Sequence, residues 1–284
     1  MIPTQFEYKR ASSLDDAIAL LQASKGDGKL LAGGHSLVPL MKLRLSEPGL
    51  LIDIARVSSL SGITEKDGKV EIGATTTHHA VATSELLQRL CPVLSDAAGE
   101  IGDPQVRNRG TLGGSLAHSD PAADYPAVIL ALNAEVHLKG PGGWRAVKGD
   151  DFFQAMFTVD MAEDEVIVGV QVVPQKVAGY AKLHQKASHY AIVGVCAVLD
   201  VAGGTINSAR VAVTGASSHA QRLTEVENAL AGKPLNQATI DAAAALAGAT
   251  LEDVNADIHA SAAYRKAMVK VFTRRALEKA ASRA

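Results

Sequence analysis

The chain has 284 residues, of which 47% are apolar and 20% charged, with a formal net charge of −2 and a pI near 6.5. That length supports two domains with sizeable cores, and the near-neutral balance excludes the clustered basic surface that nucleic acid or an anionic membrane demands. Two cysteines, Cys91 and Cys196, are too few to ligate an iron–sulfur cluster, and their apolar settings predict buried, unpaired thiols.

The first ten residues contain no basic segment leading into an apolar one, so no secretory signal is expected and the cytoplasm is the predicted location. Ser13 stands ahead of Leu14, Ala17, Ile18 and Leu21, the spacing of a capped amphipathic helix. Residues 29–31 predict a strand entering Gly33-Gly34, followed by a helix over 37–45 that tolerates Pro39 in its first turn. Strands are expected at 50–54 and 70–73, then helices from about 77 to 90 and from 92 to 101. A second glycine pair, Gly113-Gly114, follows, with a helical pattern over 120–131 and strands at 135–138 and 165–170.

A boundary falls near residues 174–179. Beyond it, strands are expected near 181–186, 193–201 and 209–214, and helices at 223–230, 239–247 and 262–281. The predicted fold class is α+β: an amino-terminal part, 1–176, of mixed strands and helices, then a three-stranded antiparallel sheet with helices over 177–284.

The two glycine pairs carry the functional expectation. Glycine lets the backbone approach a ligand closely, and each pair precedes a helix and ends in a serine, Ser36 or Ser115, able to cap it. Main-chain amides at such turns can converge on phosphate oxygens, so a ligand with two phosphates would occupy both turns. Taken singly, a Gly-Gly turn is more often structural punctuation; the doubling and its flanks reverse that reading.

Three stretches carry a resemblance: Ala32-Gly33-Gly34-His35-Ser36, Gln105-Val106-Arg107-Asn108-Arg109-Gly110-Thr111-Leu112-Gly113-Gly114-Ser115, and Asp120-Pro121-Ala122-Ala123-Asp124. Together with Ser261-Ala262-Ala263-Tyr264-Arg265 in the last helix, they resemble the FAD-binding (medium) subunits of molybdenum hydroxylases, most closely the carbon monoxide dehydrogenase branch. The resemblance implies an FAD-binding domain of the PCMH type, made of two α/β subdomains (about 1–55 and 56–176) with FAD between them. It places Ala32, Gly33, Gly34, His35, Ser36 and Leu37 of one turn and Thr111, Gly113, Gly114 and Ser115 of the other on the cofactor. By the same resemblance Asp124 lies against the FAD, Ile167 beside the flavin ring, Lys182 within reach of it and Tyr190 at the border of the isoalloxazine.

The family implies partners as well: a large molybdopterin subunit that oxidises substrate and a small subunit with two 2Fe-2S clusters, arranged as a dimer of heterotrimers. This chain then passes electrons from the clusters through FAD to an external acceptor, for which a quinone is preferred to NAD or oxygen. Carbon monoxide leads among substrates, with aldehydes, N-heterocycles and purines as alternatives. Two positions depart from the family pattern: Ser115 replaces a common asparagine, and His189 replaces an aspartate near the flavin.

Rival readings are weaker. His78-His79 reads as a solvated helix start, because adjacent helical residues point apart and no carboxylate follows at ligand spacing. His35 and His118 lack a nucleophile partner. Val211-Ala212-Val213-Thr214-Gly215-Ala216-Ser217-Ser218 imitates the start of a nicotinamide-binding fold but lacks the later glycines. A cofactor-free assembly module remains the alternative from another functional class.

Overall fold

The computed structural model describes residues 2–284. The first sheet is parallel, with β1 (Glu7–Arg10), β2 (Gly28–Leu31) and β3 (Leu50–Asp53) in the order β1-β3-β2. Helix α1 (Leu14–Ser24) covers it, and Ser13 caps that helix by accepting a hydrogen bond from Asp16 N. The buried face is the predicted one, Leu14, Ala17, Ile18 and Leu21, against Ile52 and Ile54. Helix α2 (Leu37–Leu43) leaves from the end of β2.

The second sheet comprises β4 (Ile63–Lys66), β5 (Lys69–Gly73), β6 (Glu135–Gly140), β7 (Gly143–Lys148) and, after the small hairpin β8 (Phe153–Ala155) and β9 (Thr158–Val159), β10 (Val166–Val172). Its order is β4-β5-β10-β6-β7, antiparallel throughout. Between β5 and β6 run α3 (His78–Ala82), α4 (Glu85–Leu90), α5 (Pro92–Gly99), α6 (Pro104–Arg107), α7 (Leu112–His118) and α8 (Tyr125–Ala131), and α9 (Gly149–Phe152) follows β7. Helix α8 is buried on every side, at the centre of the largest apolar cluster.

The expected helix over 77–90 is two helices. Ser84 accepts a hydrogen bond from Leu87 N and so starts a second helix where the first has just ended. The helix expected from residue 120 begins only at Tyr125, because the Asp120 carboxylate turns the chain by accepting from Ala122 N.

The carboxyl-terminal part has three long antiparallel strands, β11 (Ala178–His184), β12 (Ala191–Ala202) and β13 (Thr205–Thr214), to which β14 (Gln221–Arg222) and β15 (Lys233–Pro234) each add two residues. Helices α10 (Thr224–Leu230), α11 (Gln237–Leu246) and α12 (Ala262–Ala281) cover it, with Val193, Val195, Val211, Val213, Phe272 and Leu277 in the shared core. Both cysteines are buried and free. Burial pushes the Cys91 thiol up to about 12, which makes it inert. Among the described residues no helix is long and apolar enough to cross a membrane.

Candidate functional site

The first glycine turn joins β2 to α2. Gly34 has φ +75°, a left-handed conformation that only glycine adopts without strain. The main-chain N–H groups of Gly33, Gly34, His35, Ser36 and Leu37 find no acceptor among the described residues. Five consecutive free donors at a helix start form an anion cradle. Ser36 does not cap the helix, contrary to the sequence expectation; its side chain makes no capping bond and its own backbone is already helical.

The second turn is built differently. Thr111 caps α7, its hydroxyl accepting from Gly114 N at 3.2 Å, and Ser115 lies inside the helix instead of capping it. Gly113 N donates to Ala74 O, Leu112 N to Thr76 O and Ser115 N to Thr111 O. Of the amides from Gly110 to Ser115, only that of Thr111 has no acceptor among the described residues. This turn is therefore spent on the fold, and it offers the groove hydroxyl groups and the bare Cα of Gly114.

The glycines have distinct reasons. A Cβ on Gly113 would lie 2.5 Å from Ala74 Cβ, and one on Gly110 would lie 2.5 Å from His78 Nε2. A Cβ on Gly33 would collide with Arg109 O, and Arg109 C and Gly110 Cα lie 2.8 Å from it. The two turns therefore touch backbone to backbone. At Gly114 an added Cβ would meet the Thr111 hydroxyl, at 2.8 Å, and no other atom outside its own helix backbone and chain neighbours among the described residues within 4 Å; Gly114 lines the groove.

A third wall comes from the 118–124 segment and the 187–190 loop. Asp124 is buried, and both its oxygens contact Lys182 Nζ, at 2.8 and 2.9 Å. Tyr180 Oη donates to it at 2.5 Å, and Lys182 also donates to Glu100 O. Burial pushes the Asp124 carboxyl above the usual carboxylate range, with the Lys182 ammonium and the Tyr180 hydroxyl pulling the other way. His189 has φ +61° and Tyr190 is partly exposed; both face the groove.

These walls enclose a groove of about 830 Å³. Of the sequence-expected site residues, it brings together Ala32, Gly33, Gly34, His35, Ser36, Leu37, Thr111, Gly114, Ser115, Asp124 and Tyr190. Gly113, Ile167 and Lys182 are not on its surface: Gly113 faces Ala74, Ile167 is buried in β10, and Lys182 reaches the groove only through Asp124.

His78 overturns its expected place in solvent. It is 5% exposed, its Nδ1 lies 3.3 Å from Tyr125 Oη, and its ring lines the groove beneath Gly110. The available signal was Val81, a core residue three positions on and so on the same helical face. Burial, with the nearby His35 and Arg107 adding to it, depresses His78 from 6.5 to about 4. An unfolded chain thus binds a proton that the folded one refuses. Stability is retained above pH 6.5 and falls as the pH drops towards 4, by about 3 kcal/mol in total. Urea unfolding of the wild type and His78→Gln across that range checks this: the variant should show a shallower fall, and parallel curves would contradict it.

A long groove floored by free amides at a helix start, beside a bare glycine and hydroxyl groups, suits the pyrophosphate of a dinucleotide cofactor. The chain belongs to the family of FAD binding domains in molybdopterin dehydrogenases: residues 4–176 match that domain, and residues 178–280 match the CO dehydrogenase flavoprotein C-terminal domain. It is 40% identical to the carbon monoxide dehydrogenase medium chain of Hydrogenophaga pseudoflava, covering 100% of this chain and 99% of the relative. The nicotine 6-hydroxylase medium subunit of Paenarthrobacter nicotinovorans is 36% identical, with 97% of each covered. Among solved structures, carbon monoxide dehydrogenase from Hydrogenophaga pseudoflava superposes with a TM-score of 0.95 at 41% identity over 100% of both chains. Quinoline 2-oxidoreductase from Pseudomonas putida 86 gives 0.93 at 33% over 99% of both.

Proposed function

We propose that the groove holds FAD and that this chain is the electron-transfer subunit of a cytoplasmic molybdenum hydroxylase, taking electrons from the 2Fe-2S clusters of a small partner and delivering them to an external acceptor. The partners are that small subunit and a large molybdopterin subunit, in a dimer of heterotrimers. One groove is lined both by Gly33 to Leu37, whose amides have no acceptor among the described residues, and by Gly114, and this shared lining carries the reading.

When bound, FAD supplies the redox chemistry, accepting electrons and releasing them singly or in pairs. The protein's part is binding and orientation. The amides of Gly33 to Leu37 replace the water around a pyrophosphate without a bulky cation, and the hydroxyls of Ser36, Thr111 and Ser115 add donors. Asp124 presents a carboxylate whose position is fixed by Lys182 and Tyr180, and the Tyr190 ring borders the opening. Lys182 thus acts on the cofactor through Asp124, and Ile167 and Gly113 support the wall from behind.

Carbon monoxide is the leading substrate of the assembly and a quinone the leading acceptor. An aldehyde or N-heterocycle dehydrogenase is the second reading, favoured by medium subunits of nicotine- and glyceraldehyde-oxidising enzymes at nearly the same identity. Substrate chemistry on a partner chain would leave this chain free of substrate signature.

The purified chain is expected to show flavin absorbance, or to gain it on adding FAD, and to reduce no acceptor from substrate until its partners are supplied. Gly114→Val should abolish flavin retention while the circular dichroism of the fold persists and stability falls by only about 1 kcal/mol, the cost of disturbing the Thr111 cap, since the added atoms meet the groove and that one hydroxyl. A wild type that refuses FAD would leave the cofactor-free module as the answer, and a valine variant with full flavin would refute the placement of this turn.

A further inference from the structure

Two sequence features lie outside the groove wall: the signature Ser261 to Arg265 that opens α12, and the 215–218 turn that imitates a nicotinamide-binding start. They meet in space. We infer that Arg265 is a positioning residue for the groove, setting the place of Asp124 and Tyr190 from the far side of the carboxyl-terminal sheet; the inference rests on the FAD reading above.

Ser261 caps α12 by accepting from Tyr264 N, which starts the helix so that Arg265 turns inward, 4% exposed. Its Nη1 donates to Ile192 O at 2.6 Å and to Gly215 O at 2.9 Å, and its Nη2 pairs with Asp257 at 2.6 Å. One planar guanidinium thereby ties the start of β12 to the turn that follows β13, a geometry the flexible lysine ammonium does not reproduce. Gly215 is the complement of that tie. It has φ +80°, and a Cβ there would sit 2.5 Å from Ala191 O, so the two strand ends meet with no side chain between them.

The tied strand ends in turn hold the groove. Gly215 N donates to Pro121 O at 2.7 Å and Ala191 N to Ala122 O at 3.1 Å. The buried Thr214 hydroxyl lies 2.9 Å from Pro121 O and 2.7 Å from Ala123 O, its single proton shared between them. Three successive carbonyls are thus gripped by the residues that Arg265 fixes or by their neighbours. Asp124 comes next in the chain after the third, and Tyr190 immediately precedes Ala191. A buried guanidinium is costly to desolvate, and its retention here is explained by the geometry it imposes rather than by net stability.

The full-length chain tests this with Thr214→Val, Thr214→Ser, Arg265→Lys and Arg265→Met. The readouts are FAD affinity by titration, the visible circular dichroism of bound flavin, amide exchange of residues 120–124 without cofactor, and the melting temperature. Thr214→Val is isosteric and should keep the fold, yet weaken FAD about tenfold, alter the flavin dichroism and speed exchange over 120–124, with Thr214→Ser restoring all three. Arg265→Lys should share that signature, and Arg265→Met should add a loss of melting temperature. Variants that lower the melting temperature but leave affinity, dichroism and exchange at wild-type values would overturn the inference. A wild type without FAD affinity would sink the FAD reading instead, and exchange over 120–124 would still decide whether Arg265 and Thr214 position the segment.

Discussion

Lys182→Met should destabilise the folded chain by about 3–5 kcal/mol near pH 8, the cost of leaving a buried charge without its partner. The ammonium is wholly shielded from solvent and, among the described residues, is the only cation that touches Asp124. Without it the carboxylate keeps only the Tyr180 hydroxyl. Burial already pushes Asp124 upward, and removal of the opposing charge lets it rise further. The folded state then holds a proton that the unfolded state releases, so stability is lost as the pH rises through the folded value. The deficit should therefore shrink between about pH 8 and pH 5. Lys182→Met combined with Asp124→Asn should recover much of the loss, because no charge is then stranded. Denaturant unfolding of the three proteins at both pH values decides the matter; a single variant as stable as wild type, or a deficit that grows on acidification, would count against the buried pair.

That pair also marks where reading the sequence alone runs out. The capped helix α1, the long helix α12 and strands β12 and β13 were legible, because each is written in local chemistry: Ser13 before an apolar period, an unbroken helical stretch from Ala262, and closely spaced valines between turns. Strands β1, β4 and β7 escaped notice. They are sheet edges, largely exposed, and carry almost none of the alternation that signals a buried face. The groove was visible in outline through its glycines, but their division of labour was not. That the first turn leaves its amides free while the second spends nearly all of its own on Ala74, Thr76 and Thr111 depends on strands and loops distant in the chain. Lys182 was expected within reach of the flavin by resemblance, but its ion pair with a carboxylate 58 residues earlier could not be read from the sequence. His78 was misplaced in solvent because Tyr125 and Gly110, which bury it, come from elsewhere in the fold.

Gly33→Ala should weaken FAD binding by roughly tenfold to a hundredfold, although alanine adds one methyl group and no backbone strain is at issue at this position. The new Cβ meets Arg109 O and, at 2.8 Å, Gly110 Cα, which are main-chain atoms that no rotamer change can move aside. Relief requires the two turns to separate, and overpacking of this kind costs about 1–3 kcal/mol. A ligand held by both turns loses that much of its binding energy when they part, at about 1.4 kcal/mol for each factor of ten. Gly34→Ala supplies the contrast. Its left-handed backbone makes alanine strained, but the nearest atoms to an added Cβ are the mobile ends of Val38 and Leu31, at 3.2 and 3.3 Å. Stability should fall by about 1 kcal/mol while the spacing of the turns is kept. Titration of FAD into each apoprotein, with melts alongside, separates the two effects. The contact between the turns governs the cofactor site only if the Gly33 variant loses far more affinity than the Gly34 variant for a comparable loss of stability; equal losses would mean that the spacing of the two turns is not what the cofactor reads.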